Sequence, residues 1–134
     1  MRGLDLTTVQ LQQAVLSEAD LGHAVRRAVR LRGALLRNAS LYLAGLEGAS
    51  LQGVDLHGAD AIGAALSGAS LIGADLRHAN LLDAVLDGAD LERAELAGAT
   101  LTGASTRGIA CCGARLGGAI LLDDLQRSRT ATDA

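Results

Sequence analysis

At 134 residues the chain is about one domain's worth, with no Phe, Trp or Pro, a lone Tyr42 and 17 glycines, which excludes a core built on large aromatics. A net charge of −3 is too mild to argue for nucleic acid by itself, and no run of about 20 apolar residues is present to span a membrane. The adjacent pair Cys111 and Cys112 offers no disulfide framework and the opening MRGLDLTTVQ lacks the apolar stretch of a secretory signal, so a cytoplasmic protein is expected.

Reading from the N-terminus, a five-residue period governs the chain. With centres at residues 6, 11, 16 and every fifth residue up to 121, 24 pentads run from Leu4 to Asp123 without an insertion or deletion. Leu occupies 20 of the 24 centres, the exceptions being Arg26, Ala61, Thr106 and Cys111. Ala stands two residues before the centre in 19 of 24 pentads, and Gly dominates two residues after it from Gly33 onward. Five residues of α-helix turn through about 500°, so a Leu at every fifth place would spiral round the cylinder and leave no buried stripe. On a β-bridge, residues two apart point the same way. The Ala and the Leu of one pentad then both face inward, and the residue between them faces out. The next inward pair begins three residues after the Leu, so a turn must intervene, and Gly there supplies a permissive backbone. Each pentad is one short side plus one corner. Periodicity leaves the number of sides per coil open.

The run AxLxG, in forms such as Ala74-Asp75-Leu76, Ala79-Asn80-Leu81, Ala89-Asp90-Leu91 and Ala99-Thr100-Leu101, resembles the A(D/N)LXX motif of the pentapeptide-repeat family over roughly nine-tenths of the chain. The resemblance implies an all-β, right-handed quadrilateral β-helix with four pentads per coil. Six coils would follow, 4–23, 24–43, 44–63, 64–83, 84–103 and 104–123, in a solenoid over residues 1–123 with a tail or short helix over 124–134. The inward ladder would hold Leu46, Leu51, Leu56, Leu66, Leu71, Leu76, Leu81, Leu86, Leu91 and Leu96. The stretch Ala24–Arg32, with Arg26 at a centre, is where the pattern is weakest and a departure is expected.

Residues 20 apart should then stack in ladders that sort by face. The fourth face presents Tyr42, Ile62, Leu82 and Leu122 after the centres, with Leu43 beside them and Val85 around the corner. An apolar ridge on the outside of a rod marks an interaction surface, for a protein partner or for a second copy in a homodimer. The third face carries Arg37, His57 and Arg77 next to Asp55, Asp75 and Glu95, which reads as a solvated, salt-bridged wall. The second coil gathers Arg27, Arg30, Arg32 and Arg37 with no acid, a candidate anion patch for phosphate or carboxylate.

Catalytic chemistry is not legible. His23, His57 and His78 are expected in different surface surroundings, no nucleophile–base pair is legible, and no GxxxxGK[ST] loop is present. A non-catalytic bacterial interaction scaffold or oligomerising module, without metal, cofactor or small-molecule substrate, is the expectation. The resemblance also implies an alternative, since some members of the family mimic a DNA duplex, bind DNA gyrase and protect it from inhibitors. The mild net charge, the arginine cluster and the short rod suit that role poorly.

Overall fold

The computed structural model describes residues 10–24 and 28–120, and no helix occurs among them. Each pentad repeats one pattern: a bridge residue, the inward centre, two turn residues and a second inward residue. Every bridge is parallel and joins residue i to residue i+20, from Gln10 with Arg30 through to Thr100 with Ile120. Four pentads therefore complete one turn of the coil, and each side contributes a single bridge instead of an extended strand.

The backbone hydrogen bonds explain why five residues suffice. In the pentad centred on Leu71, the Leu71 N–H donates down the rod to Asp90 O (2.7 Å) and the Gly73 N–H to Glu92 O (2.8 Å). The Ala74 N–H closes the corner on Leu71 O (3.0 Å), and the Asp75 N–H of the next side donates back up to Val54 O (2.9 Å). One donor per pentad, the N–H after the centre, has no backbone acceptor in this scheme, and an unpaired amide is costly where it is shielded from water. An acidic or carboxamide side chain placed just before the centre meets that need. Asp20 accepts from the Gly22 N–H at 3.0 Å, Asp55 from His57 at 3.1 Å, Asp60 from Ile62 at 3.2 Å, Asn80 from Leu82 at 3.2 Å and Asp90 from Glu92 at 3.0 Å. The Asp and Asn of the repeat are thus there for the turn that follows them.

The last turn residue is left-handed in every described pentad, with φ between 53° and 72°. Gly takes this conformation freely, whereas Leu43 (φ 53°) and Ala28 (φ 58°) hold it against the steric preference of an L-residue. Such a side chain also overhangs the same corner of the following coil. A Cβ at Gly63 would come within 2.5 Å of Leu43 Cδ2, and one at Gly98 within 2.5 Å of His78 Nδ1. Glycine at those two corners is favoured by the left-handed backbone and by the side chain of the neighbour above.

Inside the coils the core is a tiling of Leu and Ala. The centres Leu46, Leu51, Leu56, Leu66, Leu71, Leu76, Leu81, Leu86, Leu91 and Leu96 are all buried, each at most 2% exposed. The residues two places before them, Val54 before Leu56 and Ala before the others, complete the same cluster. Burial weakens towards the ends of the described rod, where Leu11, Leu16, Ile109, Cys111 and Ala114 are only partly covered. The expected departure over Ala24–Arg32 is corrected in part. Ala24, Val29 and Leu31 are buried and Arg30 bridges both Gln10 and Ser50, because the inward pair of that side is intact. Arg26 and Arg27 lie outside the described residues, as do Leu122 and the whole of 124–134.

Candidate interaction surfaces

The fourth face is built by the bridges Asp20–Ser40–Asp60–Asn80–Thr100–Ile120, which set Tyr42, Ile62 and Leu82 one above another after their centres. Tyr42 and Leu43 are exposed on this face, at 41% and 45%, as is Ile120 towards its far end. The Tyr42 ring packs edge to face with His23 from the preceding coil, with centroids 5.4 Å apart. Ile62 and Leu82 are half-buried, shielded by their neighbours along the ladder, so the ridge is less open than its sequence suggests. Val85 is exposed but belongs to the adjoining face, beyond the corner at Asp83 and inward Ala84.

The third face begins with two apolar residues that reasoning from the sequence passed over. Val15 is 73% exposed and bridges Leu35, itself exposed, before the ladder turns acidic at Asp55, Asp75 and Glu95. The signal for the pair is the ladder of Asp55, Asp75 and Glu95 followed back into the first two coils. Further along, cations and acids meet directly. Arg37 Nε lies 3.0 Å from Asp55 Oδ2, and Arg115 Nε 3.5 Å from Glu95 Oε1. Arg77 grips Asp75 with two bonds, Nε to Oδ1 at 2.9 Å and Nη2 to Oδ2 at 2.6 Å. These exposed pairs add little stability one by one. The histidines are not all in separate surroundings as expected, because the coil register brings the His57 and His78 rings edge to face at 5.4 Å, and His57 Nδ1 is buried with no hydrogen-bond partner.

The Arg77 guanidinium, bonded to the carboxylate, holds the Asp75 carboxyl below its ordinary value, assisted by the Arg77 backbone N–H. A carboxyl depressed in the folded state contributes stability that is present in full above the unfolded value and disappears as pH falls through the folded one. Asp75→Asn is therefore expected to flatten the loss of stability below about pH 4 without removing the turn bond, because an amide oxygen still accepts from the Arg77 N–H. Urea melts at neutral and acid pH check this. An unchanged acid slope would show that the pair is not coupled to folding. Asp87 is likewise lowered, first by the Ser105 hydroxyl and then by the Arg107 N–H, both donated from the next coil.

The structure divides the candidate anion patch. Arg37 is paired with Asp55 on the third face. Arg30 and Arg32 stand on the second face, either side of inward Leu31, over a shallow groove of about 330 Å³ with Gln12, Ser50 and Gln52. Cys111 is a partly buried centre and Cys112 is exposed. Among the described residues no group of three or more His, Cys, Asp or Glu is placed to hold a metal ion. No helix there is long and apolar enough to cross a membrane.

The geometry has counterparts among known proteins. A family model of pentapeptide repeats matches in eight copies, over residues 27–60 and 69–108. Among solved structures, the pentapeptide repeat protein Rfr23 from the cyanobacterium Cyanothece 51142 is 37% identical with a TM-score of 0.68. That match covers 70% of this chain and 65% of Rfr23, so the chain spans less than two thirds of that protein's length. A pentapeptide repeat protein of the Arabidopsis thaliana thylakoid lumen is 33% identical over 87% of this chain and 74% of its own, at a TM-score of 0.35. QnrB1, a plasmid-mediated fluoroquinolone resistance protein, is 21% identical over 87% of this chain and 70% of its own, at a TM-score of 0.44, too low to carry an argument. No curated protein matches. Repeat proteins of this kind are in general structural or interaction proteins, and their fold is the right-handed quadrilateral β-helix. By its repeats, its 20-residue bridge register and these matches, the chain belongs to the pentapeptide-repeat family.

Proposed function

We propose that this chain is a non-catalytic interaction scaffold that offers the outer faces of its β-helix to a protein partner, either another protein or a second copy of itself. The observation that carries the reading is the apolar ridge of Tyr42, Leu43, Ile62 and Leu82 on one face of a rod whose core is already filled. The core has no use for these side chains, and an aromatic flanked by aliphatics is the composition of a contact surface. Extending the register to both ends makes a rod of six coils over residues 4–123, about 29 Å long at ~4.8 Å per coil, with 124–134 as a tail. We place it in the cytoplasm, in keeping with a cysteine pair, Cys111 and Cys112, whose adjacency offers no disulfide framework.

The charge pattern favours protein contact over duplex mimicry. Unpaired arginines open the second face before carboxylates follow at Asp90 and Glu92, and on the third face the successive acids Asp55, Asp75 and Glu95 are each paired with an arginine, so among the described residues neither face carries a continuous unpaired negative stripe. Sedimentation velocity of the wild type and of Tyr42→Ser/Leu82→Ser, at low and high salt, tests the ridge. A salt-insensitive dimer that the variant breaks supports self-assembly. A wild-type monomer whose captured partner is lost in the variant supports a foreign protein. A mass and a partner both indifferent to the substitutions would overturn the reading.

A further inference from the structure

The second face carries a feature independent of the apolar ridge. We infer that the groove between Arg30 and Arg32 is a binding site for a phosphate-class oxyanion, the phosphate end of a small ester or a diphosphate. Its lining of Gln12, Arg30, Arg32, Ser50 and Gln52 contains five side chains able to donate hydrogen bonds and no carboxylate. Arg30 and Arg32 flank an inward leucine, so both guanidinium groups rise from the same outer side, with Cα atoms ~7 Å apart on an extended backbone. Gln12 in the coil above and Gln52 in the coil below extend the donor set along the rod axis, ~4.8 Å to either side.

These two arginines stand together over a lining that contains no counter-charge. Arg37, Arg77 and Arg115 on the adjoining face are each paired with a carboxylate, whereas among the described residues Arg30 and Arg32 form no ion pair; Arg93 and Arg107 form none either, but only Arg30 and Arg32 line one groove together. The carboxylates of this face begin at Asp90, three coils below Arg30 along the bridge ladder. Three coils are ~14 Å, beyond the screening length of ~8 Å at physiological salt. Glu47 belongs to the preceding side and is separated from Ser50 by the corner at Gly48. The groove is therefore a local positive field edged by neutral donors.

The chemistry of the ligand follows from the donors. A guanidinium fork matches two oxygens of a phosphate, and two forks with hydroxyl and carboxamide donors beside them satisfy the oxygens of a dianion. A volume of about 330 Å³ is at the small end for ligand sites, and the lining contains no aromatic on which a base could stack. The site suits the phosphate and little else of a ligand.

The test uses the full chain, isotope-labelled, titrated with pyrophosphate and followed through its amide resonances. Saturable shifts centred on residues 12, 30–32 and 50–52 are expected, weakened by added salt. Arg30→Gln/Arg32→Gln should reduce the affinity about tenfold or more, and Arg77→Gln should not. Because Arg30 is a bridge residue, Arg32→Gln alone, at a turn position, separates loss of the site from loss of the coil. Flotation with phosphatidylcholine vesicles, with and without phosphatidate, identifies the source of the phosphate. Capture by phosphatidate that the double variant abolishes supports the site with a lipid headgroup as ligand. Binding of neither probe, or equal binding by wild type and double variant, would overturn the proposal.

Discussion

Replacing Leu71 with Ala is expected to lower the free energy of unfolding by about 2–5 kcal/mol in a urea melt, at an unchanged denaturant slope. Leu71 is fully buried and belongs to an inward column with Leu51 in the coil above and Leu91 in the coil below. The lost methylenes remove apolar burial and leave a void that the surroundings cannot fill. Neighbouring inward residues are Leu and Ala, and every corner is tied to the next coil by backbone hydrogen bonds. Each coil also rests only on its neighbours, so a weakened coil interrupts the stack and the loss is felt along the rod. Ser67, partly exposed at a corner, provides the contrast, and Ser67→Ala should stay within about 0.5 kcal/mol. Equal costs at the two positions would mean that the inward and outward residues have been exchanged.

Enlarging the other inward position should be costly for the opposite reason. Ala69 is fully buried in the same pentad as Leu71, two residues before it and on the same inward side. A Leu there adds volume where the coil width is set by backbone bonds to the coils above and below, from Ser70 N to Ala49 O and from Leu71 N to Asp90 O. Ala69→Leu is expected to destabilise by about 1–3 kcal/mol. In the double variant Ala69→Leu/Leu71→Ala the total inward volume is restored, and its cost should fall short of the sum of the single costs. The same urea melts measure this coupling. Strict additivity would show that the two side chains do not share a space.

These two experiments address a pattern that could be read without coordinates. The inward Leu and Ala and the corner that follows are local properties, since side-chain direction alternates every two residues and a fifth residue forces a turn. The Asp and Asn before the centre were visible as part of the motif. Their purpose was not, because the orphan N–H they serve appears only when the other four residues' bonds have been assigned. The glycine corners were legible too, yet nine non-glycine residues, Leu43 and Arg93 among them, adopt the same left-handed conformation. Tertiary register overrides local preference at those corners, since a corner must come every five residues whichever side chain is there.

The candidate surfaces divide along the same line. The sequence by itself determined a five-residue register, a core of Leu and Ala, and an apolar set on the outside that includes Tyr42 and Leu43. Which outward residues are neighbours follows from the coil closure, because the bridges of successive coils join residues 20 apart along the rod. That register gives Arg37 to Asp55, sets Val15 beside Leu35, half-covers Ile62 and Leu82, and leaves Arg30 and Arg32 unpaired among glutamines and a serine. Local pattern reports the side of the wall on which a residue stands. Its partners are set by the closure of the coil, a long-range property of the chain.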